Sequence, residues 1–255
     1  MTAPPARPSY DFLTLSLESV PLFFDPLYIG LVVVTLLISG AAQLYIRSTY
    51  GRWSRVPNGA RLSGAQIAQF LVERASFGDK PGREAITAIK VVPGNLSDHF
   101  DPRDRSLGLS AEVAQQPTVA SMAIAAHEVG HAVQHAQGSA LMKLRGLLVP
   151  AASLGPNVAY ILIFAGLIFQ ITGLVTLGIV FFGIAVLFSI LTLPVEIDAS
   201  RKALAMLDST GLATTPEERR GAQSMLTAAA LTYVAAAVTA VLTLLYYLSL
   251  ARRSN

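Results

Sequence analysis

Cysteine is absent from the 255-residue chain. That excludes a disulfide framework, a thiolate zinc site, an iron–sulfur cluster and a cysteine nucleophile. Any metal must be held by histidine or carboxylate. Charge is scarce as well: 14% of the residues are Asp, Glu, Lys or Arg, against 53% in the apolar set, whereas soluble domains carry about 25% charged residues. An ordinary soluble globule is therefore excluded. The net charge of +3 comes without a dense basic run, so nucleic acid is not an expected partner, and the basic excess concerns membrane topology instead. The first 26 residues hold five prolines but neither a basic n-region nor a small-residue cleavage site. They are expected to form an N-terminal tail, unordered over its proline-rich part, and not a cleaved signal peptide.

What the chain does have is long apolar runs. Leu27 to Ile46 is a stretch of 20 residues without a charge, enough at about 1.5 Å per residue to cross a hydrocarbon layer of about 30 Å. Gly146 to Val195 is a run of 50 uncharged residues, too long for one span. Its natural break at Gln170 to Gly173 gives two helices in a tight hairpin, and Pro150, Gly155 and Pro156 are places where the first is expected to kink or unwind. Ala222 to Leu250 is uncharged and is followed by Arg252 and Arg253. The expected organisation is an N-terminal tail (1–26), spans at 27–46, 147–170, 173–195 and 222–250, polar segments at 47–146 and 196–221, and a C-terminal tail (251–255).

Four spans put both termini on one side. Arg47, Arg52, Arg55, Lys143, Arg145, Arg201, Lys202, Arg219 and Arg220 flank the spans on the other side, against Arg7, Arg252 and Arg253 on the terminal side. The positive-inside rule then puts 47–146 and 196–221 in the cytoplasm, and the protein in the cell (inner or plasma) membrane. Within 47–146, Ser63 and Gln66 fit a capping box opening a helix to about Ala75, with Ile67, Ala68, Leu71 and Ala75 as its apolar stripe. Ile86 to Val92 and Ser106 to Leu109 fit short strands, with a turn at Asp101 to Asp104.

His127-Glu128-Val-Gly-His131 carries the chemistry. Histidines four apart stand one helical turn apart on one face and can reach one ion. Glu128, about 100° round the helix, can contact water on that ion without being a ligand. This is the HExxH arrangement of zinc hydrolases, with Glu128 as general base. Met122, Ala126, Val129, Val133 and Ala136 make an apolar back face behind the histidines. The uncharged stretch before Glu128 is too short to span a bilayer, which disfavours a site inside a span.

Catalytic zinc takes a third protein ligand. His135 lies about 12 Å of helical rise from His127, beyond reach of the same ion, so its expected role is structural or supporting. Glu196 follows directly on the 50-residue uncharged run, where an acid is costly unless paired, solvated or bound to a cation. It is the expected ligand; the competing reading is an interfacial acid paired with Arg201. Ser200 shares a helical face with Glu196 and is placed to hydrogen-bond a ligand, whereas Asp198 faces elsewhere. His99 is open between a substrate contact and a turn histidine bonded to Asp98 or Asp101.

Phe24-Asp25-Pro26, Leu62-Ser63-Gly64, Ser97-Asp98-His99-Phe100-Asp101-Pro102-Arg103, Leu109-Ser110, the stretch from His127 to His135, Leu193-Pro194-Val195-Glu196 and Ala229-Ala230-Leu231-Thr232-Tyr233-Val234 resemble, in this order, the bacterial YugP-like neutral zinc metallopeptidases of the membrane. The resemblance runs from about residue 22 to 250 and implies a zinc-dependent membrane peptidase. A more distant similarity is to HtpX-type and CAAX prenyl protease gluzincins, whose Glu-x-x-Ala-Asp motif is matched by Glu196 to Ser200 except for serine at the last place. That similarity implies that the strand before the HExxH helix, near Ser106 to Leu109, pairs with substrate backbone.

The expectation is a mostly α membrane protein, four transmembrane helices with a small α+β zincin-like cytoplasmic part. It would act as a zinc endopeptidase with a single Zn²⁺ on His127, His131 and Glu196, and with Glu128 as proton carrier. Peptides or membrane proteins are its expected substrates, the bilayer its surroundings, and a homo-oligomer is left open. The rival is a non-catalytic membrane scaffold or assembly protein with a structural metal.

Overall fold

The computed structural model describes residues 25–79 and 81–253; the expectations for residues 1–24 and for the last two residues lie outside these. Asp25 caps the first helix, α1 (Pro26–Trp53), by accepting the N–H of Leu27, and Pro26 sits in its first turn, where its missing N–H costs nothing. Three further long helices are α6 (Ala140–Ile168), α7 (Thr172–Thr210) and α8 (Pro216–Arg253). All four are long and apolar enough to cross a membrane. Their apolar side chains point outward, as Leu37 (68% exposed) and Leu147 (77%) illustrate; in water such a surface would aggregate, and in lipid it costs nothing.

The helices are longer than the uncharged runs. α1 continues past Ile46 to Trp53, and α7 passes through Pro194 and Glu196 to Thr210 before Gly211, at φ +69°, ends it in the left-handed conformation. The segment after Val195 continues the same helix, because nothing between Glu196 and Thr210 stops a helix and one face of that stretch is buried. α6 likewise stays helical through Pro150 and Pro156. The hairpin between α6 and α7 turns at Gln170, φ +55°, inside the expected break.

Between α1 and α6 lies a small mixed layer. α2 (Gly64–Arg74) opens with the expected capping box, Ser63 Oγ accepting from the Gln66 N–H and Gln66 Oε1 from the Ser63 N–H. It buries Ile67, Ala68 and Leu71. After the single turn α3 (Gly82–Ala85), the strands β1 (Ala88–Val92), β2 (His99–Asp101) and β3 (Ser106–Ser110) form a sheet in the order β1-β3-β2, with β1 parallel and β2 antiparallel to β3. β3 is thus the central strand, paired with β1 along its whole length and with β2 from Ser106 to Gly108. The backbone pairing expected of Ser106 to Leu109 meets an edge already shared over three of those four residues, and β2 has an unshared edge on the cavity side.

α4 (Ala111–Gln115) leads into α5 (Val119–Ala136), capped by Thr118. The back face expected for α5 is present: Met122, Ala126, Val129 and Val133 are buried in a core shared with α2, β3 and the ends of α7 and α8. α5 crosses α7 closely. A Cβ on Gly130 would lie 2.5 Å from the carbonyl oxygen of Ala199, so only glycine allows this approach.

Candidate metal centre

The α5/α7 crossing brings together residues 69 positions apart in sequence. His127 and His131 stand one turn apart on α5, their rings edge to face at 4.7 Å between centroids. From α7, Glu196 Oε2 comes within 3.2 Å of His127 Nε2 and 3.5 Å of His131 Nε2. The three potential ligand atoms lie within 4.8 Å of one another. Tetrahedral zinc with ligand bonds of about 2.05 Å puts ligand atoms about 3.3 Å apart, so the two Glu196 separations bracket the required edge. Glu196 is 2% exposed, and its Oε1 is buried without a hydrogen bond. Two imidazoles and a buried carboxylate facing one point are a donor set suited to zinc.

The supporting contacts favour the tautomers that ligation needs. The Gln134 amide oxygen can only accept, so His131 Nδ1–H donates to it at 3.0 Å, which leaves Nε2 as the ring nitrogen that faces Glu196. Gln134 is held in turn: its amide nitrogen donates to the Val195 carbonyl at 2.8 Å and to Asp198 Oδ2 at 2.7 Å. Ser200 Oγ lies 3.3 Å from His127 Nδ1, the expected support for a ligand. Burial works against an imidazolium at His131, but the hydrogen bond and charge of Glu196 and the charge of Glu128 outweigh it, so its pKa lies above the ordinary histidine value. The field that favours a proton there also favours a metal cation.

Glu196 does have an ion-pair partner, and it is not Arg201. Arg145, at the start of α6, places Nη2 3.3 Å from Glu196 Oε1. His135 lies outside the three-residue cluster, its ring 5.6 Å from that of Phe100, and lines the same cavity as His131 and Glu196. His99 opens β2, and its Nδ1–H donates to the Ser97 carbonyl at 2.8 Å. It bonds neither Asp98, which accepts from the N–H and hydroxyl of Ser110, nor Asp101, which pairs with Arg103. The His99 ring lies over Gly108 of β3, where a Cβ would meet it at 2.6 Å.

Glu128 is buried beside the cluster, where two cavities meet. One, of about 640 Å³, is lined by Tyr50, Glu112, Met225 and Ala229; the other, of about 800 Å³, by Phe100, Met142, Lys143 and Leu147; both reach Asp98, His127, Glu128 and Tyr233. Burial, with the charge of Glu128 acting in the same sense, raises the Asp98 pKa despite its bonds to Ser110.

Sequence reasoning missed Gln134, Arg145 and Tyr233 and set Asp198 aside. Gln134 carried a signal, since an amide three residues after a ligand histidine can reach its ring. The others become neighbours only through tertiary packing.

The sequence profile of a family described as "Putative neutral zinc metallopeptidase" matches residues 28–252. The chain is 34% identical over 221 residues to the "Putative membrane protease YugP" of Bacillus subtilis (strain 168), an alignment covering 87% of this chain and 95% of that protein. No solved structure matches.

Proposed function

The chain belongs to the family of neutral zinc metallopeptidases, and from that premise we propose that it is a membrane-embedded zinc metalloendopeptidase that hydrolyses peptide bonds of protein substrates at the cytoplasmic membrane face. The observation that carries this reading is the convergence of His127, His131 and Glu196 on one point beside Glu128. These three would hold the ion, in the gluzincin manner. Zinc, when bound, supplies Lewis acidity that acidifies water and polarises a carbonyl. Glu128 takes a proton from the attacking water and delivers it to the leaving amine. Gln134 and Ser200 keep both imidazoles facing inward, and Arg145 holds the outer carboxylate oxygen of Glu196, so that the inner one is presented.

The two cavities give a polypeptide room on both sides of Glu128, which supports an endopeptidase over an exopeptidase. The cavity walls include Ile46 and Ala229 on one side and Leu147 and Val149 on the other, at the ends of candidate spans, which suits the juxtamembrane segment of a membrane protein. The basic residues flanking the spans support the cytoplasmic placement.

A structural metal in a non-catalytic scaffold would need a fourth protein ligand. Among the described residues the cluster has three members, with His135 against Phe100 and His99 bonded to Ser97, which favours an open coordination place. Glu128→Gln tests the reading: zinc content should be unchanged while casein hydrolysis by the purified protein falls by about 10³-fold. Undiminished proteolysis in that variant would contradict it.

A further inference from the structure

The two cavities that meet at Glu128 differ in charge. Both reach Asp98 and Glu128. Beyond these, the first is lined by one cation and one acid, Arg47 and Glu112, whose charges cancel. The second is lined by Arg103, Lys143 and Arg145 against the single carboxylate of Glu196. Two of these cations are already engaged, Arg103 by Asp101 at 2.7 Å and Arg145 by Glu196 at 3.3 Å. Lys143 has no ion-pair partner among the described residues. The wall around it includes Phe100, Met142, Leu147 and Val149, and beside apolar side chains a charge is screened less than in open water. The amine also has a definite place along the path of a bound peptide. Lys143 Nζ lies by the turn that follows α5, 3.6 Å from where a Cβ on Gly138 would stand. Gly138 comes seven positions after His131, about 10 Å of helical rise, a distance that an extended peptide covers in about three residues.

We propose that Lys143 is a specificity-determining residue that pairs with the side-chain carboxylate of an Asp or Glu about three residues from the scissile bond, so that the substrates are acidic on that side. A basic side chain in the same place meets Arg103, Lys143 and Arg145 together and is rejected. This rests on the peptidase reading above and names a substrate class within it.

The test uses full-length zinc-loaded protein in detergent. A cleavage site in casein is mapped, and C-terminally amidated fluorogenic peptides copied from it carry Glu, Gln or Lys at successive positions on either side of the bond. Wild type, Lys143→Gln and Lys143→Glu are compared by the ratio of kcat/KM for each Glu peptide to that for its Gln twin, and calorimetry gives the same ratio for binding of the matching peptidyl phosphinates. The expected wild-type ratio is about 5-fold in favour of Glu, on one side of the bond only, larger against Lys, and reduced by added salt. It should vanish in Lys143→Gln and invert in Lys143→Glu, in cleavage and in binding alike. An active wild type with no preference for Glu at any position overturns the role of Lys143 alone. So does a preference that both variants retain while their thermal unfolding falls, which would make Lys143 a support for the end of α5. A preference that appears only when the peptide ends in a free carboxylate moves the recognised group to a chain terminus and overturns the side-chain assignment. A zinc-loaded wild type that neither cleaves casein nor binds the phosphinates overturns the peptidase reading as well.

Discussion

The two halves of α7 are one uninterrupted helix with two different surroundings. From Thr172 to about Leu193 its side chains are uncharged and many face outward, with Val180, Leu187 and Ile190 each about half exposed. From Val195 onward it buries Val195, Glu196, Ala199, Ala203 and Leu207 against α5 and the ends of its neighbours. The outward face of the first half needs only to be apolar, because lipid accepts any apolar outline, while its inner face packs Val175, Ile179, Phe182 and Val186 against α6 and α8. The second half is under tight steric and polar constraint. Its charges and amides must find partners in a packed interior, and they do so in the candidate metal centre. The candidate metal centre thus sits where the apolar half of α7 ends.

The largest effect that could break this contrast comes from Gly130, on the α5 face that meets the second half of α7. Gly130→Val would drive side-chain carbon into the Ala199 carbonyl, 2.5 Å from the Cβ position. Separating the helices should cost roughly 3 kcal/mol, outweighing the fraction of a kcal/mol by which valine favours helix over glycine. Thermal unfolding in detergent should show this as a lowered midpoint. Next comes Gln134→Ala, which leaves His131 Nδ1–H and Asp198 without their bridge. Zinc affinity, measured by chelator competition, should fall by about 10- to 100-fold. The smallest effect is expected of Leu187→Ala, at 50% exposure in the first half: a change in stability under about 0.5 kcal/mol. A large loss there would mean that the outward face of this half is also packed against protein, and the contrast would fail.

How much of this was legible in the sequence follows the same division. Spans are legible because lipid imposes a compositional rule over some twenty residues, and the HExxH pair because four positions on a helix suffice to place two side chains. Glu196 was singled out by its setting, an acid directly after an uncharged run, and it lies with His127 and His131 in one cluster. Helix ends were not legible: α7 crosses from lipid to protein with no break in backbone, and hydropathy marks the change of surroundings but not a change of structure. The central place of β3 was hidden too, because the strand that covers its second edge, β2, lies in a segment that looked like a turn. Asp198 was correctly placed away from the face of Glu196, yet it serves the same centre from the other side through Gln134. Only the crossing of α5 and α7 makes that connection, and no local pattern encodes it. Arg145 was counted for its charge beside a span, and its ion pair with Glu196 depends on how α6 leaves α5.

The central claim is that α5 and α7 together hold one zinc ion through His127, His131 and Glu196. Elemental analysis of detergent-purified protein, wild type against Glu196→Ala, tests it directly. Zinc stoichiometric with the wild-type chain and lost from the variant is the predicted result; equal zinc in both, or none in a zinc-reconstituted wild type, would contradict it.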